Sequence, residues 1–449
     1  MNKIIASVGL VALGAANVQA QSQAPSQITA PGAKWWNVQA TVRGFYDDNI
    51  NSTPDVKDQT GPKPVAKVHA YGFQLSPKVG VVWGNDQTSI TADYEYSFLY
   101  YDHRPLGNTE RYDQDHTFNL MLNHTFNERY AIHAHETFVI GQEPDALRSD
   151  AAFHTSFRVS GDNKVNVAGI TFDAELTPLL GLELGYDNAW FDYADKFGNP
   201  KNVDSVTGNV VPSNSGVLDR VEQTPHLALQ WHALPDTTAS LGYRFTQINY
   251  TGDETIAGPP PPAAPLAKSD IRDNRGHTVY VGLDHQFRPD FYGSLEGGIS
   301  YYDYYNLNET AWGPYGRLSL TYVYMQDSSL QLGFQEGRAA TDVLGPADTR
   351  ADVVRDAETS VVFATVRQRI VPNLFANLTG SFQNQNFKGG GPDFDGKTER
   401  FYVFGANLEY QFNPHISAHV GYDFDKLDSD IADRSYTRNK VYIGATASY

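Results

Sequence analysis

A two-residue alternation of apolar and polar side chains recurs from Val38 to the last residue, Tyr449. Across residues 90–100, apolar and aromatic side chains occupy every second position and polar side chains lie between them; residues 402–412 and 416–424 repeat the pattern. Because successive side chains of a strand point to opposite faces, each segment has one apolar and one polar face. Many long strands of this kind favour a transmembrane β-barrel with lipid outside and water inside.

Short turns rich in Asn, Asp, Gly and Pro alternate with longer polar segments, and this spacing predicts the strand count. The eight predicted short turns are at residues 85–87, 126–129, 178–181, 234–237, 288–290, 326–328, 372–373 and 413–414. The nine predicted long loops are at about 49–65, 103–112, 143–163, 196–218, 252–272, 305–310, 341–355, 389–397 and 429–434. The sequence therefore predicts an all-β fold: one antiparallel transmembrane barrel of about 18 strands, with short periplasmic turns and long extracellular loops.

Three segments depart from regular alternation. Pro77 lies inside the second predicted strand, and residues 239–250 and 360–370 have a mixed pattern, so we expect a bulge or a shifted register near these positions. The run Pro259-Pro260-Pro261-Pro262 lacks backbone N–H donors and is predicted to be an extended external loop.

The N-terminal segment resembles a secretory signal. Lys3 precedes an apolar run, and Val18-Gln19-Ala20 offers small residues at a cleavage site. We therefore expect residues 1–20 to be a signal peptide for Sec-dependent export, 21–34 to be a periplasmic tail, and 35–449 to form the barrel.

The mature protein is expected to begin at Gln21, because the apolar run is too short to anchor a chain in a bilayer. Intact-mass measurement of protein isolated from outer membranes tests this cleavage. A mass that still includes residues 1–20 would contradict it.

Composition narrows the class of protein. The chain has no cysteine, which excludes disulfides and thiolate metal sites. Its net charge of -18 makes nucleic acid an unfavourable partner, because phosphate binding needs clustered Lys and Arg. A mean hydropathy of -0.44 is compatible with a barrel, since alternation averages the apolar face with the polar one. No composition break divides the chain into domains.

Two segments carry a resemblance to a known family. The sequence Phe45-Tyr46-Asp47-Asp48-Asn49-Ile50-Asn51 follows the first predicted strand, and the chain ends in strict alternation at residues 441, 443, 445, 447 and 449. This ending resembles the C-terminal signal of bacterial outer-membrane barrels, with Tyr449 in place of the commoner Phe. The first segment resembles β-barrel porins of Gram-negative bacteria, particularly those of the putative β-barrel porin 2 family. The resemblance implies an integral outer-membrane pore that is recognised by the barrel-assembly machinery.

Tyr-Asp pairs recur where strands run toward the long loops. They are at residues 46–47, 101–102, 186–187, 302–303 and 422–423. Tyrosines at this level are typical of an aromatic girdle at the membrane interface. The alternative interpretation is that the carboxylates bind divalent cations that bridge lipopolysaccharide phosphates.

The chain contains histidine pairs but no sequence pattern typical of an enzyme. His133 and His135 share one strand face, and His226 and His232 form a second pair, but no third ligand follows at a recognisable spacing. The chain also lacks Gly-x-Ser-x-Gly, His-Glu-x-x-His and phosphate-binding glycine motifs. We therefore predict no enzyme activity, no cofactor and no metal.

Charged residues on the predicted polar face are candidates for lining the pore. They are Arg43, Lys78, Asp93, Glu95, Asp173, Glu175, Arg244, Asp284, Glu296, Arg317, Glu409, Asp423 and Asp425. Opposed acidic and basic walls would order polar solutes in a narrow pore. Alternatively, the same charges form salt bridges that brace the wall.

The function that the sequence favours is passive diffusion of small hydrophilic solutes through the barrel. Lipid and lipopolysaccharide are expected to surround it. Loops 143–163 and 196–218 are the best candidates for folding into the pore. The runner-up is an exopolysaccharide-associated barrel, acting as an export conduit or a capsule-binding surface lectin. A barrel-embedded hydrolase ranks third, and an energised transporter is disfavoured because the chain leaves no room for a plug domain. The excess of acids predicts mild cation selectivity.

Overall fold

The computed structural model describes residues 34–60, 64–104, 111–141, 162–194, 212–257, 267–345 and 353–449. The predicted signal peptide, nearly all of the predicted tail and the proline run lie outside these residues. The same holds for most of loops 143–163 and 196–218.

Eighteen strands form one sheet. They are β1 (Trp36–Asp47), β2 (Ala70–Gly84), β3 (Thr88–Tyr101), β4 (Tyr112–Asn127), β5 (Tyr130–Gly141), β6 (Asn163–Thr177), β7 (Leu180–Tyr193), β8 (Arg220–Leu234), β9 (Thr237–Tyr250), β12 (Asn274–Arg288), β13 (Phe291–Tyr304), β14 (Glu309–Met325), β15 (Ser328–Ala339), β16 (Val354–Val371), β17 (Leu374–Gly389), β18 (Thr398–Asn413), β19 (Ile416–Ser429) and β20 (Tyr436–Ser448). The loops add a two-stranded ribbon of β10 (Thr255–Ala257) and β11 (Ala267–Lys268), the helix α1 (Asn214–Leu218) and 3-10 turns at Val56–Asp58 and Ser269–Arg272.

The sheet closes on itself. Every barrel strand pairs with its sequence neighbour, and β1 pairs antiparallel with both β2 and β20. At the short-turn end, the Val38 amide donates to the Tyr449 carbonyl at 3.1 Å, and the Tyr449 amide donates to the Val38 carbonyl at 2.8 Å. Closure satisfies backbone groups that an open edge would leave bare in lipid. The predicted antiparallel barrel of about 18 strands is confirmed.

The predicted turns fall between the strands that they were expected to join, but the bulge or register shift expected near Pro77 and across residues 239–250 is not found. Leu75 pairs with Phe98 and Lys78 with Glu95 in one unchanged register, so Pro77 causes neither a bulge nor a register shift. The proline removes only its own donor, and the ladder resumes on both sides. The register between β8 and β9 is likewise unchanged across residues 239–250, apart from the turn itself. In the segment 360–370 the ladder between β16 and β17 does shift, between Arg369 and Val371 beside the turn.

Apolar side chains cover the outer surface. Phe404 is 42% exposed, and Leu408 and Val420 share its exposure and strand phase. Aromatic pairs lie at both ends of this apolar band: Phe287 with Phe291 near the short turns, and Tyr301 with Trp312 near the long loops. Such girdles are expected where rings meet the membrane interface. No described helix is long and apolar enough to cross a membrane.

An internal apolar cluster lies at the long-loop end. Val217 and Leu218 of α1 pack with Phe191 and Tyr250, which face the barrel interior. The Arg272 guanidinium donates to the carbonyl of Thr341 at 2.8 Å and also to that of Val217, which ties three loops together. We call this group the mouth cluster; its members are Ala189, Phe191, Tyr193, Val217, Leu218, Tyr250, Ile256, Ala267, Ile271, Ala340, Leu344 and Val353.

Candidate functional site: the barrel lumen

Strand phase places all thirteen predicted pore-lining residues on the face opposite the exposed apolar side chains. On β18, for example, Glu409 lies between the exposed Leu408 and Tyr410. On β12, Asp284 follows the exposed Leu283. The alternation that identified these residues is therefore kept where the strands pair, because the side-chain period of a strand is two.

On the wall formed by β1 to β4, the charges are largely paired. Lys78 contacts Asp93 at 2.9 Å, and the Asn119 amide donates to the same carboxylate at 3.1 Å. Glu95 lies opposite Lys78 in the ladder between β2 and β3. Arg43 donates to His419 Nε2 at 2.9 Å, which links β1 to β19 across β20. These contacts correspond to the bracing interpretation.

Histidines partner the acids of β6. His133 lies 3.3 Å from Asp173, and His232 lies 2.9 Å from Glu175. His133 and His232, one from each histidine pair noted in the sequence, thus contact different carboxylates. Within the described part of the chain, no group of three or more His, Asp or Glu side chains is arranged to hold a metal ion.

Three further candidates, Glu409, Asp423 and Asp425, lie on β18 and β19. Glu409 accepts from the Gln411 amide at 3.4 Å. Asp423 lies opposite Lys440, and Asp425 lies opposite Arg438, in the ladder between β19 and β20. Asp423 and Asp425 therefore each lie opposite a basic residue of β20.

A second group occupies mid-barrel on consecutive strands from β7 to β14. We call it the central cluster: Glu183, His226, Arg244, Asp284, Glu296 and Arg317. Glu296 accepts from the Tyr315 hydroxyl at 2.6 Å and lies 3.9 Å from Arg317. His226 lies 3.7 Å from Glu183. Acids and bases are interspersed along this wall, and not every charge has a close partner of opposite sign.

Two members of the central cluster have no ion-pair partner within 4 Å among the described residues: Arg244 and Asp284. The Arg244 guanidinium carbon lies 5.9 Å from the Tyr280 ring centre and 5.7 Å from that of Tyr315, and Arg244 Nε has no hydrogen-bond partner among the described residues. Asp284 lies opposite Thr238 and Ser294 in the two adjacent ladders. A charge without a counter-charge acts on solutes more strongly than a neutralised one.

Glu183 and His226 were missed among the candidates, although the alternation of β7 and β8 would have included them. Glu183 lies between Leu182 and Leu184 in the segment 180–193, in the same phase as Asp187. The mouth also holds Asp219, just outside the spanning strands, which accepts from the Tyr193 amide at 2.7 Å. Burial raises the pKa of Asp219 to about 6.

Comparison with known proteins gives one family match. Residues 358–449 match the model of a family described as "Putative beta-barrel porin 2". This segment covers β17 to β20 and most of β16, including the C-terminal alternation noted in the sequence. No curated protein matches the chain.

Solved structures of porins resemble the barrel at low identity. OccAB4 of Acinetobacter baumannii has 11% identity and a TM-score of 0.43, with 93% of this chain and 99% of that one covered. OpdK of Pseudomonas aeruginosa, solved with vanillate, has 11% identity and a TM-score of 0.43, with 92% and 99% covered. A BenF-like porin of Pseudomonas fluorescens Pf-5 has 10% identity and a TM-score of 0.42, with 92% and 99% covered.

Porins are channels and not enzymes, so the family match agrees with a lumen built from polar side chains. The resemblance inferred from the sequence is confirmed. The chain is an 18-stranded antiparallel β-barrel, and its residues 358–449 match the family described as "Putative beta-barrel porin 2".

Proposed function

We propose that the barrel is a channel for passive diffusion of small hydrophilic solutes across the outer membrane. The observation that carries the proposal is the polar mid-barrel lumen, in which Arg244 and Asp284 lack counter-charges within ion-pair distance in the described chain. A wall needed only for bracing would neutralise its charges in pairs, as Lys78 and Asp93 do.

The mechanism requires no reaction. Solutes enter past the mouth cluster, which narrows the long-loop end, and then cross the charged central cluster. Residues 212–218 of the second loop expected to fold inward contribute Val217 and Leu218 to the mouth cluster. We propose that this loop segment limits solute size, and that the central cluster selects by charge.

Planar-bilayer recording of the refolded protein tests the channel. We expect steady conductance and a mild preference for cations, because nine of the thirteen candidate residues are acids. The preference should fall toward molar salt, where the Debye length shrinks from about 10 Å at 0.1 M to about 3 Å. Neutralising Asp93 and Glu95 together should also reduce it. Absence of conductance at every voltage would reject the proposal.

Two matched single substitutions test the central cluster. Asp284→Asn should move the reversal potential toward anions, and Arg244→Gln should move it toward cations, because each removes one charge that lacks a close counter-charge. The measurement is the reversal potential across a tenfold salt gradient. Shifts of the same sign in both variants would show that these residues do not set the lumen potential.

We also propose that the C-terminal strand β20 is the segment recognised by the barrel-assembly machinery, and that lipopolysaccharide surrounds the long-loop end. The family match gives no support to the exopolysaccharide alternative.

A further inference from the structure

The ladder between β14 and β15 is incomplete on the long-loop side. It runs from Met325 and Ser328 only as far as Gly316 and Glu336. Beyond that point, residues 309–315 pair with β13 alone, and residues 337–339 pair with β16 alone. Among the described ladders this is the longest one-sided stretch. We call residues 309–315 and 337–339 the β14–β15 seam.

A proline explains where the ladder stops. The Trp312 carbonyl accepts from Arg338 of β15, so the backbone groups of residue 312 face β15. Backbone groups two residues apart in a strand face the same neighbour, so Pro314 also faces β15 and has no N–H to donate. At Pro77 the ladder resumes on the far side of the proline. At the level of Pro314 it does not resume, because β15 ends at Ala339 and the chain then turns inward, where Ala340 is buried in the mouth cluster.

Side chains close the seam in place of backbone bonds. Arg338 donates to Asp356 of β16 at 3.1 Å and to the Trp312 carbonyl at 3.2 Å. Glu309 of β14 pairs with Arg355 of β16, which bridges the two strands across the missing part of β15. Such contacts exchange partners more readily than a ladder of backbone hydrogen bonds, because each depends on a single side-chain rotamer.

Small residues line both sides of the seam. Gly337 and Gly313 lie in the lumen phase of their strands, and a Cβ atom on Gly337 would meet nothing within 4 Å. On the outer side, Pro314 and Gly316 stand where other strands carry large apolar groups. Arg338 is therefore the principal side chain between the lumen and the outer surface at this point.

The outer edge of the seam is polar within the apolar band. The Glu336 side chain points outward, as that of Leu332 does. Its depth in the membrane follows from its ladder partner Gly316, which is four residues from the girdle residue Trp312 in the direction of the short turns. The Ser360 hydroxyl donates to Glu336, but no cationic side chain lies within 4 Å of it in the described chain. An outward carboxylate at this depth is costly unless a polar group from the membrane meets it.

We propose that the β14–β15 seam is a lateral portal through which a cationic amphiphile passes between the outer leaflet and the lumen. The cationic head would meet Glu336 at the outer edge and then Asp356 and Glu309 as Arg338 and Arg355 turn aside. The apolar tail would remain beside Trp312, which is 63% exposed. This route differs from axial diffusion of hydrophilic solutes, and it does not depend on that function.

The cysteine-free chain allows a direct test in proteoliposomes. Gly337→Cys places a thiol on the lumen side of the seam, and Ser294→Cys places one on the lumen face of β13 as a matched control. Each is labelled either by a membrane-dissolved dodecyl maleimide with a quaternary ammonium head or by a water-soluble trimethylammonium methanethiosulfonate. The ratio of the two labelling rates measures access from the membrane, and the water-soluble reagent confirms an open lumen.

The expected ratio is at least about tenfold higher for Gly337→Cys than for Ser294→Cys. Adding Pro314→Val, which supplies the missing donor, should reduce the ratio at least about threefold while leaving the water-soluble labelling unchanged. A dodecyl maleimide with a sulfonate head should label Gly337→Cys more slowly than the ammonium form. Equal ratios at the two positions, or no effect of Pro314→Val, would overturn the portal; equal labelling by both heads would overturn its cationic preference.

Discussion

Asp47→Ala should destabilise the barrel by about 3 to 5 kcal/mol, which is the usual cost of removing one partner from a buried ion pair. Asp47 is fully buried, and it accepts from Arg438 Nε at 2.8 Å and from Nη2 at 2.5 Å. The pair joins β1 to β20 at the long-loop end, where the first and last strands close the sheet. The backbone N–H of Asn49 also donates to the Asp47 carboxylate at 3.0 Å.

The measurement is the temperature at which the folded, heat-modifiable band disappears in electrophoresis, together with the midpoint of denaturant unfolding. Asp428→Ala is the matched control, because Asp428 and Arg400 lie 3.9 Å apart and are nearly half exposed. Exposed pairs contribute up to about 1 kcal/mol. Equal losses in the two variants would mean that the Asp47 pair does not hold the closure.

Phe404→Arg should reduce recovery of folded barrel far more than Asn407→Arg. Phe404 faces lipid, and a cation at the bilayer midplane on that face costs about 2 to 4 kcal/mol. Asn407 faces the lumen, where its amide lies 3.4 Å from the Tyr442 hydroxyl and water can hydrate an added charge. Both sites lie on β18, so strand position is nearly matched.

Refolding yield into lipid vesicles, scored by heat modifiability, measures the difference. Similar yields for the two variants would show that the strand phase assigned to β18 is wrong. Because the same phase places Glu409 in the lumen, such a result would also remove that residue from the channel wall.

The parts of the fold that the sequence predicted are those that depend on local chemistry. Alternation depends only on the two-residue period of a strand, so Asp284 and Glu409 could be assigned a face without knowing their neighbours. Turns such as 372–373 are also local, because Asn and Pro favour turn geometry wherever the chain places them. These two signals were enough to predict the strand count.

Only the tertiary structure decided which strands meet and what each charge contacts. Asp47 and Arg438 are 391 positions apart, and their pairing requires the closed ladder between β1 and β20. The tertiary structure also decided why Pro77 and Pro314 have different effects on their ladders. Each removes one donor, but the ladder resumes only where both strands continue in register, and β15 turns inward instead. The sequence thus determined the faces of the strands, whereas register and closure, which depend on contacts between distant segments, determined the charge pairs and the seam.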